Sequence, residues 1–481
     1  MRAGRAPLGA VALAAAALMS CALGPSYRRP ELPTTETFRG QQAAETASIA
    51  DLPWWEVFQD EALGALIREA LEHNHDLRAA AARVERARYL AAVTRGELFP
   101  TVGYGIGAST SNDPNAGSPA LGNSSSGGRD TFLGAVNLAW EVDVWGRLRR
   151  SNEAARAQLM GTEAFRRGVV LSLIAGVAQS YFELRELDLE LEIARNTVAT
   201  FGETREIFER QYRGGVASQL DSLRAEAARA QAAATIPELE RRIISKESEL
   251  AVLAGRVPGA VERGTALAEQ SVPPEVPAGL PAELVARRPD LAEIEQVVVA
   301  QNALVGVSLA EFFPRIGLTA FAGGVSPELS DVVDSGTGIW RATGEGVGSI
   351  FSFGRNLYGY RAQQAAFDES VVRYEQATLV AFREVSDALT AREKLEGVRV
   401  EQEHAVIALR EAMRIARVRY LGGLATYLEV LDAQQQLFPA ENDLARTRRD
   451  QLLAVVALYR ALGGGWSQQP EQPEVPQPIA P

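Results

Sequence analysis

The chain has 481 residues, of which 46% are hydrophobic and 23% are charged, a composition typical of a folded protein rather than a disordered one. Its formal net charge of −12 argues against a general nucleic-acid-binding protein, which would need a basic surface. The single cysteine, Cys21, excludes an intrachain disulfide framework and a zinc-ribbon array.

Residues 1–20 predict a secretory signal peptide. Arg2 and Arg5 precede an apolar run from Leu8 to Met19, which is too short to span a bilayer comfortably. The run ends in L-M-S-C at Cys21, which resembles the bacterial lipobox, where the signal is cut before the cysteine and its thiol is acylated. We therefore expect Cys21 to be lipidated; the alternative is an ordinary signal peptide beside an unrelated cysteine. No other stretch reaches 18 apolar residues, so a membrane crossing would have to use strands.

The chain contains an internal duplication. Tyr212-Arg213-Gly214-Gly215 is repeated as Tyr420-Leu421-Gly422-Gly423, 208 residues later. The same spacing relates Trp145-Gly146-Arg147 to Phe353-Gly354-Arg355. Both halves therefore follow one plan.

This plan predicts a helix, a strand hairpin and a long helical hairpin in each repeat. The strand hairpins are expected at 101–144 and 316–351, and the helical hairpins at 147–255 and 355–463. The predicted division is, in chain order, a signal peptide 1–20, a lipidated N-terminal segment with a first short helix 21–73, a first repeat 74–255, a Pro-rich linker 256–288, a second repeat 289–463 and a Pro/Gln-rich tail 464–481.

The strands are predicted from alternation with period two. In Phe132–Val144, Val136, Leu138 and Trp140 fall on one face, whereas Asn137 and Glu141 fall on the other. In the second half, Ile316–Gly324 and Gly338–Phe351 alternate more weakly. Runs of roughly 9–11 residues suit a tilted strand of a transmembrane barrel.

The long helices are predicted from apolar residues spaced three and four apart. Leu173, Val177 and Tyr181 begin such a seam in the first helix, Arg147 to about Tyr212, and Leu379 and Val385 lie on one in the second, Arg355 to about Tyr420. A helix of that length would extend about 100 Å. Returning helices are expected at Ser218–Gly255, with a kink or a break at Pro237, and at Thr426–Gly463.

Four strands with an apolar face cannot close a barrel, and an open sheet edge is not tolerated in lipid. Three copies of the chain would supply 12 strands, enough for a barrel with a water-filled lumen. The sequence therefore predicts an α+β fold in which a homotrimer forms a 12-stranded transmembrane barrel, continued by a long helical coiled-coil tunnel.

Motifs along the whole mature chain carry a family resemblance. They are C-A-L-G-P-S-Y-R-R-P at Cys21, P-W-W-E-V-F-Q-D at Pro53, N-H-D-L-R-A-A at Asn74, two F-P turns, the W-G-R/F-G-R pair, L-D-A-Q at Leu431 and A-L-G-G-G-W at Ala461. In this order the chain resembles the outer-membrane factor family of efflux proteins, in particular its lipoprotein branch.

The resemblance implies an outer-membrane exit channel of a tripartite efflux system, lipid-anchored, inserted as a barrel and extending into the periplasm. Such a channel conducts drugs or other small molecules passively. Its expected partners are a periplasmic adaptor, an inner-membrane pump and outer-membrane lipid, with no nucleic acid. No catalytic residue, cofactor or metal site is expected. The alternatives are the outlet of a protein-secretion system and a non-conducting trimeric coiled-coil lipoprotein that serves as a scaffold.

The acids that follow the glycine turns have two possible roles: they cap the returning helices, or they form a charged face directed at the axis of the channel. Ser218 precedes Asp221 by three residues and Thr426 precedes Glu429 by three, the spacing of a helix capping box. Asp432 lies one turn further on, where it would share a face with Glu429.

The resemblance implies that Glu429 and Asp432 narrow the periplasmic aperture, with Leu428 as an apolar constriction beside them. The first turn supplies Asp221 and Arg224, and Arg224 is a candidate to pair with Asp432 or Glu429 across helices. The residues implied to face the adaptor are Gly214, Gly215, Val216, Gly422, Gly423 and Leu424.

Overall fold

The computed structural model describes residues 22–31, 37–39, 57, 59–111, 129–215, 218–270, 281–334 and 336–464. Its elements are, in chain order, α1 (Glu61–His73), α2 (His75–Gly96), β1 (Thr101–Ser111), β2 (Arg129–Val142), α3 (Arg147–Arg213), α4 (Gln219–Leu253), α5 (Pro281–Arg287), α6 (Pro289–Ala310), β3 (Arg315–Ser326), β4 (Gly338–Val347), α7 (Arg355–Leu421) and α8 (Tyr427–Ala461), with short 3₁₀ helices at Leu267–Glu269 and Leu329–Val333.

These elements form two compact units, and each unit combines segments of both sequence repeats. The strand unit contains the sheet and comprises 22–31, Arg83–Thr162 and Glu293–Tyr374. The helix unit contains the turns between the long helices, within Glu163–Ala292 and Glu375 onwards, together with α1.

The four strands form one antiparallel sheet in the order β1-β2-β3-β4. The register aligns Tyr104, Val136, Ala322 and Trp340 across the sheet on one face. Except for Thr110, Asp130 and Ser326 at one end, that face is apolar throughout. The other face carries Thr101, Asn137, Glu141, Thr319, Arg341, Thr343 and Glu345.

Within the described residues the 3₁₀ helix Leu329–Val333 lies over one end of the apolar face, with Val332 against Gly134 and Gly324, and large side chains elsewhere on this face are exposed. Tyr104 is 82% exposed, Ile106 is 83% exposed and Trp340 is 80% exposed. Side chains of this size and apolarity are rarely left in water as one contiguous patch. The sheet therefore presents a surface suited to an apolar environment, as its alternation predicts.

Two strands end earlier than predicted. β2 ends at Val142 rather than Val144, because the N–H of Val144 turns back to the Val142 carbonyl at 2.8 Å. The carboxylate of Asp143 then accepts from the N–H groups of Leu148 and Arg149, at 3.1 and 2.9 Å, and starts α3.

β4 ends at Val347 rather than Phe351. Val347 pairs with Arg315, and the next pairing position is occupied by Pro314. Proline has no N–H to give to a strand ladder, so pairing stops there.

The paired long helices have equal lengths in the two repeats. α3 and α7 each have 67 residues, and α4 and α8 each have 35. The predicted starts, Arg147 and Arg355, are confirmed. None of the helices in the described ranges carries an apolar stretch long enough to cross a bilayer.

Of the kink or break predicted at Pro237, the break is wrong, because α4 continues through the proline, and the kink stays a prediction. Buried side chains on both sides of the proline, among them Ala232 and Leu239, keep both parts of the helix packed. α8 likewise continues through Pro439.

The predicted seam is confirmed in α3, where Leu173, Val177 and Tyr181 are buried, and in part in α7. Val385 is buried there, but Leu379 is 55% exposed in the single chain.

The internal duplication is also visible in the backbone, where glycines at equivalent positions of the two repeats adopt the left-handed conformation. The pairs are Gly146 and Gly354, Gly215 and Gly423, and Gly255 and Gly463, with φ between +71° and +83°. At Gly255 a Cβ atom would lie 2.4 Å from the His73 carbonyl oxygen, and at Gly463 it would lie 2.9 Å from that of Arg287. The returning helix of each repeat therefore ends against the short helix that precedes that repeat, α1 or α5.

Side chains at the same place differ between the repeats. Asn74 Nδ2 donates to the Leu253 carbonyl at 2.9 Å, and its Oδ1 caps α2 through the N–H of Leu77. In the second repeat Arg288 Nη1 donates to the Ala461 carbonyl at 3.1 Å. Two unlike donors thus bind the same position of their returning helices.

Candidate functional site

The first turn between long helices closes on two glycines. The N–H of Gly214 donates to the Arg210 carbonyl at 3.0 Å, and that of Gly215 donates to Tyr212 at 2.9 Å. Gly215 has φ +74°, a left-handed conformation that costs glycine little. Val216, which belongs to the predicted adaptor-facing tips, lies outside the described residues, as does Cys21.

The second turn is a Schellman motif. The N–H of Leu424 reaches the Arg419 carbonyl at 2.8 Å, and that of Gly423 reaches Tyr420 at 3.0 Å. Gly422 donates to Val418, and the Leu424 side chain is 75% exposed beyond the turn. The turn is therefore rigidly hydrogen-bonded and carries an apolar side chain at its tip.

An aromatic cluster connects three long helices beside the turns. Phe208 of α3 meets Tyr427 of α8 edge to face, with ring centroids 4.2 Å apart, and lies 5.1 Å from the ring of Tyr420 of α7. Phe208 and Tyr427 are buried, and the Tyr420 hydroxyl donates to the side-chain oxygen of Gln211. These contacts fix the relative positions of α3, α7 and α8 near the turns.

The hydroxyl of Tyr427 has no hydrogen-bond partner within the described parts of the chain. Burial, and secondarily the charge of Asp221, raises the pKa of Tyr427 to about 12. The phenol is therefore neutral at physiological pH, and the charge of Asp221 acts on it.

Glu429 and Asp432 share the exposed face of the first two turns of α8, whereas Val430 and Leu431 are buried. Leu428, on the same face, is 62% exposed. The prediction that the two acids share one face is confirmed. This surface of α8 is free to meet another chain or solvent.

Each acid has one described contact. Gln436 Nε2 donates to Asp432 Oδ2 at 2.8 Å, one helical turn further along α8. Arg419 Nη2 lies 3.9 Å from Glu429 Oε2 across the second turn, with both side chains about half exposed. An exposed pair at this distance contributes little to stability, and both acids remain exposed to solvent.

Of the two predicted capping boxes, only the Ser218 half of the first is seen among the described hydrogen bonds. Ser218 caps α4, its hydroxyl accepting from the N–H of Leu220 at 3.1 Å. Thr426 precedes α8 in the N-cap position, but its side chain makes no capping hydrogen bond. The Glu429 side chain points to Arg419 instead, so the second turn has no capping box.

In the first turn Asp221 is half-buried and Arg224 is exposed. Neither forms an ion pair among the described residues of a single chain, and Arg224 does not contact Glu429 or Asp432 there. Glu226 is paired instead with Arg229 at 2.7 Å and Arg205 at 3.5 Å.

Sequence reasoning missed Arg419, Phe208 and the hydroxyl of Tyr427. Arg419 had a signal, because it is a basic residue in the last turn of α7, where cations favour a helix C-terminus. Phe208 had none beyond its place on a long apolar seam.

A family model described as "Outer membrane efflux protein" matches residues 66–256 and 280–464, one match on each repeat. The chain is 35% identical over 457 residues to the solvent efflux pump outer membrane protein SrpC of Pseudomonas putida, covering 94% of this chain and 96% of that protein. It is 32% identical over 460 residues to the cation efflux system protein CusC of Escherichia coli O6:H1, covering 94% and 98%. The structure of the outer-membrane channel OprN matches with a TM-score of 0.86 at 30% identity, covering 93% of this chain and 100% of that one. The chain belongs to the outer membrane efflux protein family.

Proposed function

We propose that this protein is the exit channel of a tripartite efflux system, assembled from three copies and closed at its periplasmic end by the acidic face of α8. It conducts solutes passively and performs no catalysis. The energy comes from an inner-membrane pump that is reached through a periplasmic adaptor.

The observation that carries this proposal is the exposed apolar face of a sheet whose outer strands, β1 and β4, are unpaired in the described chain. Unpaired edge groups cannot remain in hydrocarbon, so strands of other copies have to complete the sheet. Three copies supply 12 strands, and the face that carries Asn137, Thr319 and Arg341 then surrounds a polar lumen.

The aperture is proposed at Leu428, Glu429 and Asp432. Their shared exposure and their weak contacts within one chain support a role directed at the channel axis, where three copies would bring six carboxylates together. Carboxylates gathered in this way attract cations and repel anions. Asp221 and Arg224 of the first turn are proposed to border the same aperture, with Arg224 paired to Glu429 or Asp432 of a neighbouring copy.

The adaptor is proposed to dock on the two glycine turns, Gly214–Val216 and Gly422–Leu424. Apolar side chains next to these turns support docking. Leu424 is 75% exposed, Leu223 is 59% exposed and Leu220 is 53% exposed. Apolar groups clustered beside backbone turns are typical of a protein-binding surface.

Lipidation of Cys21 is proposed on the contacts of the segment that follows it. The N–H of Leu23 donates to the Trp145 carbonyl at 3.0 Å, just beyond the end of β2. Arg150 donates to the carbonyls of Leu23 and Gly24, both at 3.1 Å. An acyl chain at residue 21 would therefore start next to the end of the sheet, where a membrane surface is expected.

The substrate is proposed to be selected by the pump rather than by this channel. Proteins of nearly equal identity to this chain are named for solvent efflux, in the case of SrpC, and for cation efflux, in the case of CusC. Substrates as different as solvents and cations are consistent with a channel that conducts whatever its pump delivers.

The test is single-channel conductance of the purified trimer in planar bilayers. Wild type is expected to give small, cation-selective openings, and Glu429→Ala/Asp432→Ala is expected to give larger, less selective ones. A matched control is Asp387→Ala/Glu401→Ala, which removes two exposed acids from α7 far along the chain from the turns. That control should conduct like wild type.

Absence of conductance in a protein shown to be trimeric and inserted would contradict the channel and favour the scaffold. Equal, large conductance in wild type and in the acidic double variant would support the channel but contradict the placement of its aperture on α8.

A further inference from the structure

Arg341 lies in the middle of β4 on the polar face of the sheet. The register places Gly103, Asn137, Phe321 and Arg341 in one row across the four strands. The guanidinium carbon of Arg341 lies 6.0 Å from the centroid of the Phe321 ring, directly opposite on β3. This cation–π contact holds the charge against the wall of the sheet without neutralising it.

No carboxylate pairs with Arg341 in the described part of the chain, and its side chain is exposed. The next charge on the same strand and face is Glu345, four residues on and therefore about 13 Å away. Closer to the helices, charges are paired: Arg147 binds both oxygens of Glu141 at 2.9 and 2.8 Å. Arg341 is thus an uncompensated positive charge midway along β4, on the polar face of the sheet.

The wall around Arg341 carries few large side chains. On the same face β1 presents Gly103, Gly105 and Gly107. Above Gly103 the space is filled by Asn137, whose Oδ1 would lie 2.9 Å from a Cβ atom at that glycine. Phe321 and Arg341 are therefore the largest side chains in this row of the wall.

We propose that three copies of Arg341 form a cationic belt in the lumen of the barrel, which concentrates small anions and carboxylate-bearing solutes and opposes cations. This inference rests on the proposed trimeric channel and adds a second charged zone to it, opposite in sign to the acidic face of α8. The guanidinium is suited to this role because it binds carboxylates through paired N–H groups.

The test is the reversal potential of single channels under a KCl gradient at about 0.1 M, where the screening length is about 10 Å. Arg341→Gln is expected to raise the ratio of K⁺ to Cl⁻ permeability about twofold, because a fixed charge a few ångströms from the ion path is removed. Arg341→Lys keeps the charge and should keep the wild-type ratio. At about 1 M salt the difference should disappear, since screening then acts within about 3 Å.

The same variants are to be measured in the Glu429→Ala/Asp432→Ala background, where the acidic aperture no longer dominates selectivity. There the belt should make the channel favour Cl⁻, and Arg341→Gln should abolish that preference. Conducting channels whose permeability ratio is unchanged by Arg341→Gln in both backgrounds would overturn the belt. Absence of conductance in every inserted variant would instead contradict the channel itself.

Discussion

Arg449 Nη1 of α8 donates to Glu186 Oε2 of α3 at 2.7 Å, and the Glu186 side chain is only 2% exposed. The pair joins a helix of the first repeat to a helix of the second. Glu190, a second buried acid of α3, lies 3.0 Å from Arg446 Nε and 3.5 Å from Arg242 Nη1. This network lies away from the turns and connects the two halves of the duplicated chain.

Arg449→Ala should destabilise the protein by about 3 kcal/mol, because it leaves the Glu186 carboxylate buried without its main partner. The measurement is the apparent Tm from helical circular dichroism of the trimer in detergent, at one fixed scan rate. The double variant Glu186→Gln/Arg449→Ala removes the stranded charge and should recover at least half of the loss. A double variant as unstable as Arg449→Ala would show that packing, and not charge, is responsible.

Glu186 should also make the stability of the protein depend on pH, with a sign opposite to that of an acid whose pKa is lowered by folding. Burial raises its pKa above the ordinary glutamate value, outweighing the lowering effect of Arg449. The native state therefore binds this proton more tightly than the unfolded chain does, so this residue's contribution to stability falls as pH rises from the ordinary pKa through the raised one.

We expect wild type to gain stability relative to Glu186→Gln when pH is lowered from about 7 to about 5. Other acids in the helix unit, such as Glu249 and Glu403, have lowered pKa values and lose their contribution in acid, but they are common to both proteins and cancel. A difference in Tm between the two proteins that is constant with pH would contradict the assignment.

Phe208→Ala should loosen the turns, because this residue is 1% exposed and contacts Tyr420 and Tyr427. The expected loss is about 3–5 kcal/mol of local stability, as for other buried phenylalanines. Limited trypsin digestion should then cut faster at Arg210 and Arg213. Leu223→Ala, which truncates an exposed side chain at the first turn, is the control and should leave the cleavage rate unchanged.

Gly423→Ala and Gly255→Ala should differ strongly although their φ angles are +71° and +74°. At Gly423 no atom lies within 4 Å of the added Cβ, so the cost is the backbone strain alone, about 1–2 kcal/mol. At Gly255 the Cβ would also lie 2.4 Å from the His73 carbonyl oxygen, so α1 would have to move. Yield of folded trimer and its apparent Tm should fall only slightly for Gly423→Ala and severely for Gly255→Ala; equal effects would show that φ alone decides.

The fold class was predictable because its signals are local and occur twice. Period-two alternation around Val136 and Leu138 and the doubled glycine turns indicated four strands and two helical hairpins per chain, and this α+β fold is confirmed and shared with outer-membrane channels. The protein is located in the outer membrane and extends into the periplasm, as predicted.

The site was less predictable, because its contacts depend on which helices become neighbours. The pairing of Glu429 with Arg419 follows from the path of the chain through the Schellman turn, which residue spacing does not specify. Thr426 has the right residue type for a cap but does not make the bond. The end of β4 depends on Pro314, which precedes the neighbouring strand β3 and is distant from β4 in sequence.

Asn74 and Arg288 have a consequence for how such duplicated chains diverge. A short amide in one half and a long guanidinium in the other reach the equivalent backbone oxygens, those of Leu253 and Ala461. What the two copies preserve is an acceptor on the main chain, which no side-chain replacement can delete. The donor side chain can therefore change in length and charge as the two halves diverge. An alignment of their sequences alone then shows less similarity than their structures share.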